Sequence, residues 1–372
     1  MVAVLYLCKS SFNILSNYWH KCKPLLHLPA SDKQSILNKH FMVGQINSNY
    51  IRTRWTKFFS RMLSYAFFEG RPVTTAGQWI NPIVFANMSF AKLGLIKKKV
   101  EQPTFILGTG RSGTTILGIV MSMHRDVAFL NEPKALWHSV FKNEDLIGSY
   151  TRENALYELH ESDAQPEAIK KMHNIFGFYL STVFSKRVWD KYPELVFRMD
   201  FVKKIFPDFK AIFLYRNGWD TAISSAGWSD IHGEQKGEET HNWWGVNNRK
   251  WDLLCDQIVS KDIDLAPHWQ EIKLFTSELD KSIVEWIVSM RFGIDACKKY
   301  PNHVLPVRYE DLAAHPQKTI NEICTFCNLS DDAKLMEYAI ETLKPVPSKK
   351  PVEINPLLKD AFMKIMKEMK YD

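Results

Sequence analysis

The sequence predicts an α/β fold: a central parallel sheet flanked by helices on both faces, with a basic N-terminal extension. Three observations carry this. Apolar runs of strand length recur at Phe105–Leu107, Val127–Leu130, Ala211–Tyr215 and Val304–Tyr309, as strands covered on both faces require. Helical patterns separate them, and strands that alternate with helices build parallel sheets. The first run enters a glycine-rich turn and leaves as an apolar-periodic helix. In that arrangement, backbone N–H groups at a helix start can hold a phosphate.

Residues 1–100 come first and are the least regular. They carry 14 Lys and Arg against 2 Asp and Glu, or +12, whereas the whole chain is +7. Such an asymmetry suits an anionic membrane or polyanion as neighbour, or simply a soluble basic face. Residues 51–68 mix cations with aromatics at helical spacing. They are a candidate for peripheral contact with an anionic bilayer, or for a helix that packs its aromatic stripe and exposes its charges. Met1–Cys8 is apolar but lacks a basic leader region and a clear cleavage site, and no run of 18 apolar residues occurs. The six cysteines are too sparse for a disulfide scaffold, and Cys324-Thr-Phe-Cys327 has no second ligand pair, so it reads as helix core. The expected location is cytoplasmic, with membrane-peripheral contact left open. The main domain is expected to span residues 101–372.

Gly108-Thr-Gly-Arg-Ser-Gly-Thr-Thr115 nearly matches the P-loop pattern G-x-x-x-x-G-K-[ST]. Thr114 stands where the lysine belongs, and the cation lies inside the loop as Arg111. A P-loop kinase needs that lysine on the transferred phosphate. The unit is therefore P-loop-like and phosphate-binding, and a nucleotide kinase is the alternative reading. Val127–Leu130 leads into Asn131-Glu132-Pro133, where Pro133 can open a helix. Glu132 is then either a reactive carboxylate or a helix N-terminal charge.

Residues 134–190 read as mostly helical, with a long candidate from Glu167 to Arg187. Ala211–Tyr215 is followed by Arg216, and a helix carrying Ser224 follows a cap at Asn217 or Asp220. A fork-shaped cation and a hydroxyl in this arrangement suit a second phosphate monoester. Residues 227–277, rich in Gly, His and Trp, read as an insertion or lid. A helix over 278–299, the strand ending at Arg308-Tyr309, two further helices and a basic tail from Pro345 complete the chain.

These motifs together resemble the sulfotransferases that use 3′-phosphoadenylyl sulfate (PAPS), over about residues 103–330. Gly110-Arg-Ser-Gly-Thr-Thr115 is similar to that family's 5′-phosphosulfate loop, in the form found in its carbohydrate and tyrosylprotein branches. The resemblance implies that Gly110, Arg111, Ser112, Gly113, Thr114 and Thr115 hold the 5′ end of PAPS. It also implies that Arg216 and Ser224 hold the 3′-phosphate and that Tyr309 lines the pocket. Glu132, 21 positions after Arg111, matches the family's general base, with His138 in reserve. Lys191 matches its catalytic lysine, although Tyr192 departs from the usual pattern. The C-terminal signature of the cytosolic branch is absent, which leaves Lys349 and Lys350 as candidates for its role. The implied reaction is sulfuryl transfer from PAPS to a hydroxyl, with no metal and no nucleic acid. Trp243, Trp244, Trp251 and Trp269 would suit a carbohydrate or glycolipid acceptor if they stack on sugars, and would be core otherwise. A small-molecule or protein tyrosine hydroxyl remains the alternative acceptor.

Overall fold

The structure, a computed structural model, describes residues 43–371. Residues 1–47 and 48–372 cluster as two units. Of the first, only the short turn Val43–Gln45 and its flank are described, so Met1–Cys8, Cys8 and Cys22 lie outside the described residues.

Eight strands occur among the described residues of the second unit: β1 Thr104–Gly108, β2 Val127–Asn131, β3 Arg187–Lys191, β4 Lys210–Tyr215, β5 Glu234–Lys236, β6 Glu239–Asn242, β7 Gly245–Val246 and β8 Val304–Arg308. Five form an all-parallel sheet in the order β2-β3-β1-β4-β8. The order reverses beside β1, the position at which open α/β sheets bind ligands. Phe105, Ile106 and Leu107 are fully buried, and so are Ile212 and Leu214, which explains why these strands read as continuous apolar runs.

β3 differs from its sequence reading. The helix expected to run to Arg187 ends at Thr182. Phe184 then takes a left-handed φ of 54° that no helix continues through. The strand that follows was hidden because it is polar: Asp190 accepts the indole N–H of Trp137 at 2.8 Å, and Lys191 pairs with Glu132. Between Val140 and Pro166 there are only short 3-10 turns.

The basic tail also resolves differently. Pro356–Glu368 is a helix, capped by Asn355, that buries Leu358, Ala361, Phe362, Ile365 and Met366. Its apolar residues recur every three to four positions, and its lysines face outward. Residues 227–277 divide in two. β5 and its turn are exposed, whereas Trp244, Trp251, Leu254 and Cys255 are core. Cys324 and Cys327 are buried and unbridged, as the core reading expected.

Helices also precede residue 101 within the same unit: Ser48–Thr53, Trp55–Phe67 and Asn81–Lys92. The Trp55–Phe67 helix turns its charges inward. Lys57 donates to the carbonyls of Arg125 (3.0 Å) and Val127 (2.7 Å), and Arg61 pairs with Glu69, while Trp55 and Phe59 are exposed. This is the reverse of a helix that packs its aromatic stripe.

Candidate active site

β1 delivers the chain into the loop 109–113, and glycine is required there by close approaches. A Cβ at Gly110 would stand 2.3 Å from the Trp243 ring. One at Gly113, where φ is 93°, would stand 2.3 Å from the Tyr309 ring. Two aromatic side chains from distant elements thus close on the loop. Arg111 holds a left-handed φ of 67°, the kind of strain that collects at functional sites. The Ser112 hydroxyl turns inward onto the Thr109 carbonyl at 2.6 Å and is spent in shaping the turn. Thr114 and Thr115 open the helix Thr114–Met121, whose first N–H groups lack intrahelical partners.

Around this loop the cations gather. Arg111 Nε donates to Ser224 Oγ at 3.2 Å. The Arg216 guanidinium lies 4.5 Å from the Tyr309 ring centroid and reaches Asp220 at 3.5 Å. Asp220 also accepts the backbone N–H of Lys349 at 2.5 Å, which ties the C-terminal segment to the same place. Burial, then the charge of Arg216, lowers the pKa of Arg111. Lys349 is likewise lowered, first by burial and then, against the pull of Asp220, by Arg216 and Arg111. The charged forms of Arg111 and Lys349 are thus disfavoured by neighbouring positive charge, an arrangement that a bound anion would relieve. Arg216 Nε and Thr109 Oγ1 are buried there with no hydrogen-bond partner. Arg308 lies over Tyr371 at 4.3 Å and 3.4 Å from Glu310, and its Nε is likewise buried without a hydrogen-bond partner.

On the other side of the loop is a cleft of about 660 Å³, its open mouth included. Gly108, Thr109 and Gly110 form one wall, and Glu132, Pro72, Thr74, Phe197, Trp228 and Trp243 also line it. Glu132 sits at the end of β2 with φ 47°, and its N–H donates to the Lys191 carbonyl at 2.7 Å. Its carboxylate pairs with Lys191 Nζ and remains 39% exposed. Burial would raise its pKa, but Lys191 and Lys134 outweigh it and hold the group below the usual carboxylate range.

Behind Glu132 runs a buried chain of alternating charge. Lys134 lies 3.9 Å from Glu132 and 3.0 Å from Glu194, and Glu194 lies 3.7 Å from Lys250. Lys250 pairs in turn with Glu285, which accepts the Trp243 indole N–H at 2.9 Å. Burial opposes the charge on Glu194, yet Lys134 and Lys250 hold it far below the usual range. His138 is not in this cleft; it is buried against Phe85 and Tyr150.

A model of the sulfotransferase family matches residues 103–243 and 254–333. The chain belongs to the sulfotransferase family. This sulfotransferase is also similar to an uncharacterized protein of Aquifex aeolicus (strain VF5), 22% identical over 258 residues. That match covers 66% of the chain and only 28% of the relative. Among solved structures, the sulfotransferase domain of the Synechococcus PCC 7002 olefin synthase is 14% identical with a TM-score of 0.42, covering 74% of this chain and 96% of that one. Sulfotransferase STF1 from Mycobacterium tuberculosis H37Rv is 13% identical with a TM-score of 0.41, covering 85% and 93%.

Of the residues singled out in its sequence, the sulfotransferase brings Arg111, Gly113, Arg216, Ser224 and Tyr309 to one side of the loop. Glu132 and Lys191 meet on the other. Trp243 lines the cleft, Trp244 and Trp251 are core, and Trp269 packs partly buried against that core. Lys134, Glu194, Lys250 and Glu285 were missed. Their partners lie dozens of residues away, and a buried charge is indistinguishable in sequence from a surface one.

Proposed function

We propose that the protein transfers the sulfuryl group of PAPS to an acceptor hydroxyl, with a carbohydrate or glycolipid as the acceptor. The observation that carries this reading is the crowding of Arg111, Arg216 and Lys349 beside the loop and Tyr309, next to a cleft that holds a carboxylate–lysine pair. The two buried, unpartnered atoms, Arg216 Nε and Thr109 Oγ1, fit an anionic nucleotide.

PAPS supplies the sulfuryl group and leaves as 3′,5′-ADP. Arg216 and Ser224 would hold the 3′-phosphate, and Lys349 joins them as a third donor. Arg111, Thr114, Thr115 and the loop N–H groups would stabilise the charge that grows on the 5′-phosphate as its bond to sulfur breaks. Glu132 would accept the acceptor's proton as the new oxygen–sulfur bond forms. Lys191 would orient Glu132 and face the transferred oxygens. Transfer of this loose kind depends mainly on positioning and charge stabilisation. Trp228 and Trp243, set among the buried charges, offer the stacking faces and hydrogen-bonding groups that a polyhydroxylated acceptor uses.

Thermal melting with 3′,5′-ADP, ATP and GTP tests the donor half. 3′,5′-ADP should raise the melting temperature most, since ligand binding to the native state adds to stability. In Arg216→Ala that rise should largely vanish, while the weaker response to 5′-AMP should be little changed. A magnesium-dependent ATP response without one to 3′,5′-ADP would reject the reading.

A further inference from the structure

The Asn81–Lys92 helix is apolar on both faces. Inward, Val84, Met88 and Ala91 are buried. Outward, Ile83 and Phe90 are each 44% exposed, and the stripe continues from Trp79 (71%) to Leu93 (65%). Leu95 and Ile96 extend it. The polar side chains of the helix do not interrupt it: Asn87 donates to the Phe67 carbonyl at 3.0 Å and Ser89 to the Phe85 carbonyl at 2.9 Å. A helix apolar all the way round is normally covered on both sides. Here Phe90 meets Phe178 of the Pro166–Thr182 helix, ring centroids 5.6 Å apart, but the outer stripe from Trp79 to Leu93 remains 44–71% exposed.

The rim of the stripe is cationic. Lys97, Lys98 and Lys99 follow it, Lys92 ends the helix, and Lys142 and Lys171 stand close enough to Lys92 to disfavour its charge, after burial. Glu101 neutralises Lys99 at 2.7 Å and Glu167 neutralises Lys171 at 3.6 Å, so the rim's net charge rests on Lys92, Lys97, Lys98 and Lys142, of which the first three donate to Ser139, Asn174 and Ser185.

Charge decides what can cover such a face. An anionic occupant suits the rim, and residues 1–42, with five lysines and one aspartate, do not supply that charge. A second copy packed face to face would bring two identical cationic rims together. An anionic lipid surface complements both the stripe and the rim.

We propose that the face formed by Trp79, Ile83, Phe90, Leu93, Leu95 and Ile96 docks the protein on an anionic bilayer. The apolar side chains enter the headgroup–acyl boundary and the lysines meet lipid phosphates and carboxylates. No described helix is long and apolar enough to cross a membrane; the proposed contact is peripheral and needs no spanning segment. Docking also has a consequence for the cleft, which rests on the sulfuryl-transfer reading. Pro72 and Thr74, on the segment leading into this helix, line the cleft, so docking would set an acceptor hydroxyl on a lipid within reach.

The test is vesicle co-sedimentation of the full chain without any donor, which keeps it independent of the proposed reaction. Phosphatidylcholine vesicles with phosphatidylserine should retain the protein, and pure phosphatidylcholine should not. The triple variant Trp79→Ser, Leu93→Ser, Leu95→Ser should bind roughly tenfold or more weakly, with a nearly unchanged melting temperature because these side chains are 65–73% exposed. Equal retention by both vesicle types, no retention by either, or undiminished binding of the variant would overturn the proposal. So would a dimer in analytical ultracentrifugation that the variant converts to monomer, since the face would then belong to a second copy.

Discussion

Glu132 is held in an unfavourable backbone conformation between two ammonium groups, and both facts bear on its chemistry. Lys191 and Lys134 outweigh burial and hold its pKa below the usual carboxylate range, so it is ionised at neutral pH and its oxygens are available to the acceptor's proton in the proposed reaction. Glu132→Gln should lower kcat by about 10²-fold or more and leave 3′,5′-ADP affinity near that of the parent. Unchanged kcat in a radiolabelled-sulfate assay would remove the base assignment. The acid limb of kcat/KM should fall below the ordinary glutamate value, because a depressed pKa keeps the carboxylate charged until the pH drops through it.

Asp190, its neighbour in β3, is the opposite case: burial raises its pKa to about 8, against the Trp137 hydrogen bond. The unfolded carboxyl ionises near 3.8, so between pH 4 and 8 the proton favours the folded state and stability falls as pH rises. Asp190→Asn, which can still accept from Trp137, should therefore raise the melting temperature at pH 7, by the equivalent of about 1–3 kcal/mol, and change it little at pH 4. A loss at pH 7 would mean that Asp190 is ionised and needed as such. Residues of this kind mark the limit of the sequence. Arg216 and Tyr309 were legible because they follow strands, Arg111 because it lies in the loop after β1, and Ser224 because it stands eight positions after Arg216 on the next helix. Lys134, Glu194 and Lys250 were not, because only the fold brings their partners to them.

At the level of elements, the Trp55–Phe67 helix shows why amphipathic periodicity identifies a helix without saying which face goes in. Its cations face β2 because that edge offers backbone carbonyls and a carboxylate. Lys57 reaches the carbonyls of Arg125 and Val127, and Arg61 holds Glu69. Glu69 in turn accepts the Asn131 N–H at 2.8 Å, one residue before Glu132. Arg61→Ala should cost about 3–5 kcal/mol by chemical denaturation, since it strands a buried carboxylate. Pairing it with Glu69→Gln should recover part of that loss. A cost below about 1 kcal/mol would show the pair to be solvated.

The whole molecule was legible where burial is two-sided. β1, β2 and β4 announce themselves as buried apolar runs, β8 as a shorter apolar run whose Pro306 is exposed, and their alternation with helices fixes a parallel sheet. β3 escaped because its polar residues serve Trp137 and Glu132, and the C-terminal helix escaped because its lysines conceal a regular apolar spacing. The matched family segments, residues 103–243 and 254–333, hold the loop, both strand-end arginines and Glu132.

Pro72 and Thr74 lie before that region and Lys349 after it, yet each stands against the site. On the proposed reading, the groups assigned to donor and acceptor thus come from different stretches of the chain. Exchange of residues 69–77 between homologues could retarget the enzyme while its nucleotide grip stays intact, and a fragment trimmed to the shared region would lose a wall at either end.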